Sequence, residues 1–344
     1  MVKIGFCDFW SSFNQDSNFI TNTISTFTDI EIVPFQYADY VFFSVFGDKH
    51  LEVPDKSIKI FFTGENLCPD FNLCDYAIGF EWLEFSDRYL RYPLYLIYEN
   101  INEQMENKHI FNHKFSIDLK KEFCSFTVSN EKGHPIRKEL FEKLSKYKLV
   151  NSGGKWLNNI GGPIKDKYSF DLKHKFSIVC ENSSHPGYTT EKIVQAYAAG
   201  AIPIYWGDPY ITKIFNQKSF INVHNYNNLN DLVKDIIRID NDNDEYFNIL
   251  KEPALLSSQY NSITYNQKLK DFLFNIIKQP IEKAQRRNRY FWGEIYINKI
   301  KNNVYKTPEH QSLKNHIKTY IYYLPIIQAI IKFKKNIKHS PKMN

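Results

Sequence analysis

Glu181, Asn182, Tyr188, Glu191 and Lys192 crowd into one stretch of this 344-residue chain, FSIVCENSSHPGYTTEKIVQAYAAGAIPIYWG, residues 176–207. Lysine matches the charge of a phosphate, amides and phenols are uncharged donors, and a carboxylate accepts a proton or two hydroxyl hydrogen bonds. Arg137, far upstream, is a second candidate cation. Glu65 stands apart from both, directly after an apolar run and Gly64, where a carboxylate could act as a general base.

The elements that must position these residues are legible. Residues 176–180 are a short run of β-formers, 181–188 a polar loop with a glycine, and a helix should start on Thr189 or Thr190. A second strand should follow over 201–206. Such a β-loop-α-β unit empties its loop onto a helix N-terminus, where backbone N–H groups and the helix dipole favour an anion. The loop is neither a P-loop nor a G-x-G-x-x-G turn, which argues against an NTPase or a dehydrogenase. Glu65 is placed at the carboxyl end of a strand over 58–63, where α/β sites gather.

The pattern E-N-(x)5-Y-x-T-E-K, then a helix, then I-P-I-Y-W-G, resembles the sugar-nucleotide motif of the α1,3-fucosyltransferases of glycosyltransferase family 10, the bacterial Lewis-antigen type in particular. The likeness continues through FFTGEN (61–66), CDYAIGF (74–80), DRYLRYPLY (87–95), HPIR (134–137) and KSFINVHNY (218–226), and so covers residues 35–255. It implies a GT-B fold, two Rossmann-like α/β domains facing across a cleft. It implies GDP-fucose as donor and inverting transfer to the 3-hydroxyl of GlcNAc, in an N-acetyllactosamine-type acceptor of lipopolysaccharide or a related surface glycan. By the same resemblance Glu65 is the general base. Arg137 and Lys192 face the diphosphate, Asn182 and Tyr188 are uncharged donors to it, and Glu191 accepts from the ribose hydroxyls.

Each residue also has a plainer reading. Alone, Arg137 is a surface helix arginine, Lys192 a solvated helix face, Glu191 a capping-box residue and Glu65 a turn cap. Glu181 could orient the loop or approach the fucose. Thr189 and Thr190 read as helix caps, and Tyr205 and Trp206 as core. His185 is the one histidine near the motif, and could touch substrate or simply be an exposed loop residue.

Composition bounds the alternatives. With 28 Phe and 23 Tyr the chain is a folded globular protein, long enough for two domains. The net charge of +6 is uneven: 14 Lys/Arg against 3 Glu from residue 281 onward give +11, leaving −5 on the body. We therefore expect an acceptor domain over 1–150, a donor domain over 151–285 and a basic, aromatic-rich tail over 286–344. The boundary is set in the Gly- and Asn-rich segment 151–162, and residues 100–118 read as an exposed loop. From Asn315 the tail suits an anionic membrane surface. Nucleic-acid binding is disfavoured because the basic residues are confined there. No apolar run reaches the roughly 20 residues of a membrane span, and residues 1–10 lack a signal-peptide core. The expected location is the cytoplasm, with peripheral membrane contact.

Five scattered cysteines fit neither a disulfide framework nor a zinc spacing. Asp240, Asp242 and Asp244 resemble half of a calcium loop, but Glu245 stands where glycine is needed and Lys251 where a bidentate Glu is needed. The cluster reads as a solvated loop. No essential metal is expected, and a divalent cation is at most stimulatory. The rivals are a same-fold transferase for another sugar nucleotide or acceptor position, and an inactive nucleotide-binding scaffold.

Overall fold

A computed structural model of the protein describes residues 1–108 and 120–304. The chain divides into two compact units, the break following Arg286. The first unit begins with β1 (Val2–Cys7), β2 (Ile30–Ile32), β3 (Tyr40–Phe43), β4 (Ile58–Phe62), β5 (Tyr76–Gly79) and β6 (Tyr89–Arg91). Strands β3, β4 and β5 are buried at every residue. Such two-sided burial belongs to parallel sheets covered by helices. The six strands form a parallel sheet in the order β2-β1-β3-β4-β5-β6.

A second parallel sheet holds β7 (Glu122–Phe126), β8 (Val150–Ser152), β9 (His174–Cys180), β10 (Ile202–Trp206) and β11 (Ile221–Asn222), in the order β11-β10-β9-β7-β8. The boundary expected at 150/151 is therefore displaced. Strands β7 and β8 already belong to the second sheet, which begins by Glu122; β7 pairs with β9 from Glu122↔His174 to Phe126↔Ile178. Asn151 lies within β8 itself, and the glycines and asparagines of 153–162 form a loop after it rather than a linker.

Helices connect the strands. Asn18 caps α1 (Phe19–Ser25) through a reciprocal capping box with Thr21. The segment expected to be an exposed loop instead opens with α2 (Glu99–Glu106), which buries Asn102 and Met105. Then come α3 (Ile136–Ser145), α4 (Lys167–Asp171), α5 (Glu191–Ala198), α6 (Leu229–Asn241) and α7 (Asn243–Lys251). Long α8 (Ser262–Ile277) and short α9 (Ile281–Ala284) return to the first sheet. Tyr265, Leu269, Leu273 and Ile276 share a core with the strands β1, β3, β4 and β5, and Tyr92 donates to Asn266 at 2.7 Å. Residues 262–284, expected within the donor domain, thus pack on the first sheet, while the unit break after Arg286 falls within one residue of the expected start of the tail.

The second unit contains α10 (Trp292–Val304). The membrane-surface reading from Asn315 lies outside the described residues. No helix among the described residues is long and apolar enough to cross a membrane.

The aspartate cluster is also not what its spacing suggests. Asp242 caps α7 by accepting from the Glu245 N–H at 3.0 Å, but Asp240 is buried at the end of α6. Its carboxylate accepts from Tyr147 Oη at 3.0 Å, Lys148 Nζ at 2.5 Å and Lys175 Nζ at 2.9 Å. Burial raises its proton affinity, but these donors outweigh it and hold the carboxyl below the ordinary aspartate value. A lowered folded-state value means the contribution is complete above the unfolded value near pH 4 and is lost as pH falls through the folded one. Asp240→Asn should cost about 2–4 kcal/mol in urea unfolding at pH 7. It should also flatten the acid limb of stability below about pH 4; an unchanged acid limb would place the titrating group elsewhere.

Candidate functional site

The residues singled out by chemistry converge at the carboxyl ends of both sheets, the position where parallel α/β sheets hold ligands. Strand β9 ends in Cys180, and Glu181 follows with no exposed surface. Its carboxylate accepts from the Thr190 N–H at 2.8 Å, Thr190 Oγ1 at 2.7 Å and Lys192 Nζ at 3.0 Å. A buried carboxylate is tolerated only when paired and hydrogen-bonded; these three donors offset part of the cost, and burial still holds the carboxyl above the ordinary glutamate value. Burial most strongly lowers the proton affinity of Lys192, yet Glu181 and Glu191 overcome it, so the ammonium stays charged.

Helix α5 starts at Glu191 with Thr190 at its N-cap position, as the spacing predicts. The two threonines are not side-chain caps, however. Thr190 Oγ1 donates to Glu181, and Thr189 Oγ1 donates to Asp208 at 3.2 Å. Because the cap hydroxyl points elsewhere, the helix N-terminus keeps its N–H groups free of a side-chain acceptor from Thr190. Lys192 Nζ donates to Thr190 Oγ1 at 2.7 Å and lies 3.6 Å from Glu191 Oε1. With two of three ammonium protons engaged and about a quarter of the side chain exposed, one donor remains for a ligand.

Arg137 lies in the first turn of α3 and is 2% exposed, so the surface reading fails. Nη1 donates to Asn182 Oδ1 at 3.4 Å and Nη2 to the Glu131 carbonyl at 3.1 Å. Among the described residues it has no carboxylate in ion-pair range, and its Nε has no hydrogen-bond partner. Burial accordingly holds the guanidinium below the ordinary arginine value. The plane sits 5.5 Å over the Trp156 ring. Both Arg137 and Lys192 lie within electrostatic reach of Cys180, which puts the two cations around one strand end. Such a buried charge without a carboxylate partner could take an anion.

Glu65 follows β4 through Thr63 and Gly64. Its N–H donates to Thr63 Oγ1 at 3.0 Å, a local turn that leaves the side chain exposed. The next residue joins the halves: Asn66 Nδ2 donates to Ser183 Oγ at 2.5 Å. Tyr188 is 2% exposed, packs edge-on to Phe80 at 5.1 Å, and feels the charges of Glu181, Lys192, Glu65 and Glu191. The structure thus brings Glu65 into the neighbourhood of the donor motif. Asn182 is exposed beside Arg137, and Glu191 is near Tyr98. Tyr205 and Trp206 are core, as expected, with Trp206 4.4 Å from the His134 ring.

Several supporting residues escaped the sequence reading. Asp208, in the WGD that ends β10, is 1% exposed and accepts from the N–H groups of Gly187 at 2.8 Å and Tyr210 at 2.7 Å. It fixes the loop ahead of α5. Gly187 has φ +88°, and a Cβ there would lie 2.5 Å from the Phe80 carbonyl. A Cβ on Gly133 would lie 2.0 Å from Arg137 Nη2, so glycine makes room for the guanidinium. The acidic residue after an apolar strand was the available signal for Asp208; nothing local marks Gly133.

These contacts predict a hierarchy. Glu181→Gln sets an amide NH2 against other donors and should cost about 2–4 kcal/mol in urea unfolding, with Thr190→Val costing about 1–2 kcal/mol. Equal small losses would remove the carboxylate from its organising role.

Comparison with known proteins follows the same residues. Residues 4–98 match the model of the "Alpha-(1,3)-fucosyltransferase FucT N-terminal domain", and residues 117–260 that of "Glycosyltransferase family 10 (fucosyltransferase) C-term". The chain is 35% identical over 254 residues to the alpha-(1,3)-fucosyltransferase FucT of Helicobacter pylori, covering 64% of this chain and 52% of the relative. It thus spans about half the length of that relative. It is 30% identical over 149 residues to human 4-galactosyl-N-acetylglucosaminide 3-alpha-L-fucosyltransferase 9, covering 40% of each. A crystal structure of an alpha1,3-fucosyltransferase with GDP-fucose superposes with a TM-score of 0.70 at 29% identity, covering 84% of this chain and 93% of that one. The two-sheet body is accordingly a GT-B fold.

Proposed function

From a chain that belongs to glycosyltransferase family 10, we propose an α1,3-fucosyltransferase that moves L-fucose from GDP-fucose to the 3-hydroxyl of GlcNAc with inversion. The observation that carries the reading is Arg137, a buried cation without a carboxylate partner, beside the loop that leads to the N-terminus of α5. A diphosphate supplies the missing charge. Arg137 offers it Nε, Lys192 its third proton, and α5 its first N–H groups. Glu191 suits the vicinal hydroxyls of the ribose, since a carboxylate accepts two bonds at once. Asn182 and Tyr188 complete the uncharged donors.

Inverting displacement needs a base on the acceptor side and charge stabilisation on the leaving side. Glu65 is the exposed carboxylate within reach of Tyr188, and would take the proton from the acceptor hydroxyl as its oxygen bonds to the anomeric carbon. The bond from that carbon to the β-phosphate oxygen breaks, and its electron pair leaves with GDP. Arg137, Lys192 and the helix end meet the growing negative charge, so no metal is essential in this account and a divalent cation is at most stimulatory. Leu67, an exposed large apolar side chain in the loop after β4, offers an apolar surface near Glu65 for the acceptor. An N-acetyllactosamine-type glycan, of lipopolysaccharide or another surface glycan, is the acceptor this reading favours. The basic tail would bring the enzyme peripherally to an anionic membrane surface from the cytoplasm, and no nucleic-acid partner is proposed.

The test is product analysis. GDP-fucose with N-acetyllactosamine should give one fucosylated trisaccharide whose new linkage, read by NMR, is α1,3 on GlcNAc, and GDP-mannose should give none. Glu65→Gln should keep GDP affinity within about twofold and lower kcat by about 10²–10⁴-fold, the usual share of a general base. Full activity in that variant would sink the base assignment; a product from another GDP-sugar would sink the donor.

A further inference from the structure

The loops around the cleft bring together three side chains that the transfer reaction does not use. Cys68, three residues after Glu65, places Sγ 2.7 Å from Glu81 Oε1. His185, three residues before Tyr188, places Nε2 2.9 Å from the same oxygen. A thiol, an imidazole and a carboxylate, contributed by the loops after β4, β5 and β9, thus hold one ligating atom each within 4.8 Å of one another. We propose that Cys68, Glu81 and His185 form a binding site for a soft divalent cation of the zinc type.

The donor set fits that ion. Sulfur, nitrogen and oxygen donors together suit Zn²⁺, whereas Mg²⁺ and Ca²⁺ want oxygen alone. Zinc–ligand distances of about 2.0–2.3 Å put tetrahedral donors roughly 3.3–3.6 Å apart, a little wider than the 2.7 and 2.9 Å that separate Glu81 Oε1 from the thiol and the imidazole and inside the 4.8 Å that bounds the cluster. Small side-chain adjustments therefore seat the ion, with the fourth position open to water. Binding forms an S–Zn bond and releases the thiol proton to solvent. The supports are in place: Phe80 meets the His185 ring edge-on at 5.8 Å, and Tyr89 Oη donates to the Glu81 carbonyl at 3.2 Å. Of the five cysteines, Cys68 alone is exposed. Glu81 lies 13 residues after Cys68, and His185 a further 104 residues on, which is why cysteine spacing did not reveal them.

The site is distinct from the catalytic chemistry, but it straddles it. A bound ion would tie the loop carrying Tyr188 to the loop carrying Glu65. Binding itself does not rest on the fucosyltransferase reading, so it is tested without turnover. Co²⁺ titrated into the full-length, reduced protein should bind one equivalent with a thiolate-to-cobalt charge-transfer band in the near ultraviolet, displaced by Zn²⁺. Cys68→Ser should abolish the band, and Glu81→Gln and His185→Ala should each weaken cobalt binding at least tenfold. In the unmutated protein Zn²⁺ should slow alkylation of Cys68 by iodoacetamide at least tenfold, mapped by mass spectrometry. No charge-transfer band, a band that survives in Cys68→Ser, or alkylation indifferent to Zn²⁺ would each overturn the proposal.

Discussion

The site depends on one buried carboxylate. Glu181 directly follows the central strand of the second sheet, has no exposed surface, and accepts from the N-cap and first turn of α5. Because an unpaired buried charge is so costly, the strand end and the helix start cannot drift apart without losing three hydrogen bonds together. The loop between them, 182–189, is thereby a closed span. Asp208 holds it from the other side through Gly187 and Thr189. Two acids that never need to touch a substrate decide where Tyr188, Glu191 and Lys192 stand.

Charge is distributed with the same economy. Lys192 is neutralised in place by Glu181 and Glu191, and contributes to a ligand only what remains of its hydrogen-bonding capacity. Arg137 is the reverse case: buried, stacked over Trp156, bonded to a carbonyl and an amide, and left without a counter-ion among the described residues. The net effect is a site whose electrostatic complement is an anion at the strand end between the two cations. Across the cleft, the first sheet contributes Glu65 through a turn held by Thr63, with the Asn66–Ser183 bond joining the two sides.

Much of this was legible in the residues. Runs rich in apolar residues marked β3, β4 and β5, and FSIVCENSSHPGYTTEK marked the strand, loop and helix start in order. What escaped was set by distant partners. The short edge strands β2 and β6 carry too few residues to signal themselves, and the docking of α8 on the first sheet is a tertiary fact. The same holds for Asp240, whose three donors come from residues 65 to 93 positions away, and for the segregation of β7 and β8 into the second sheet. Arg137 shows the limit most clearly. Its sequence neighbours suggest a solvated helix, and only the fold encloses it.

The central claim is that Arg137 is kept buried and unpaired to receive phosphate. Calorimetric titration of GDP and of guanosine into the unmutated protein and Arg137→Met, each verified by cooperative thermal unfolding, tests it directly. Loss of one charge-assisted contact of about 2 kcal/mol predicts a roughly 30-fold weaker GDP complex, with guanosine affinity unchanged. Equal losses for both ligands, or none for GDP, would contradict the account.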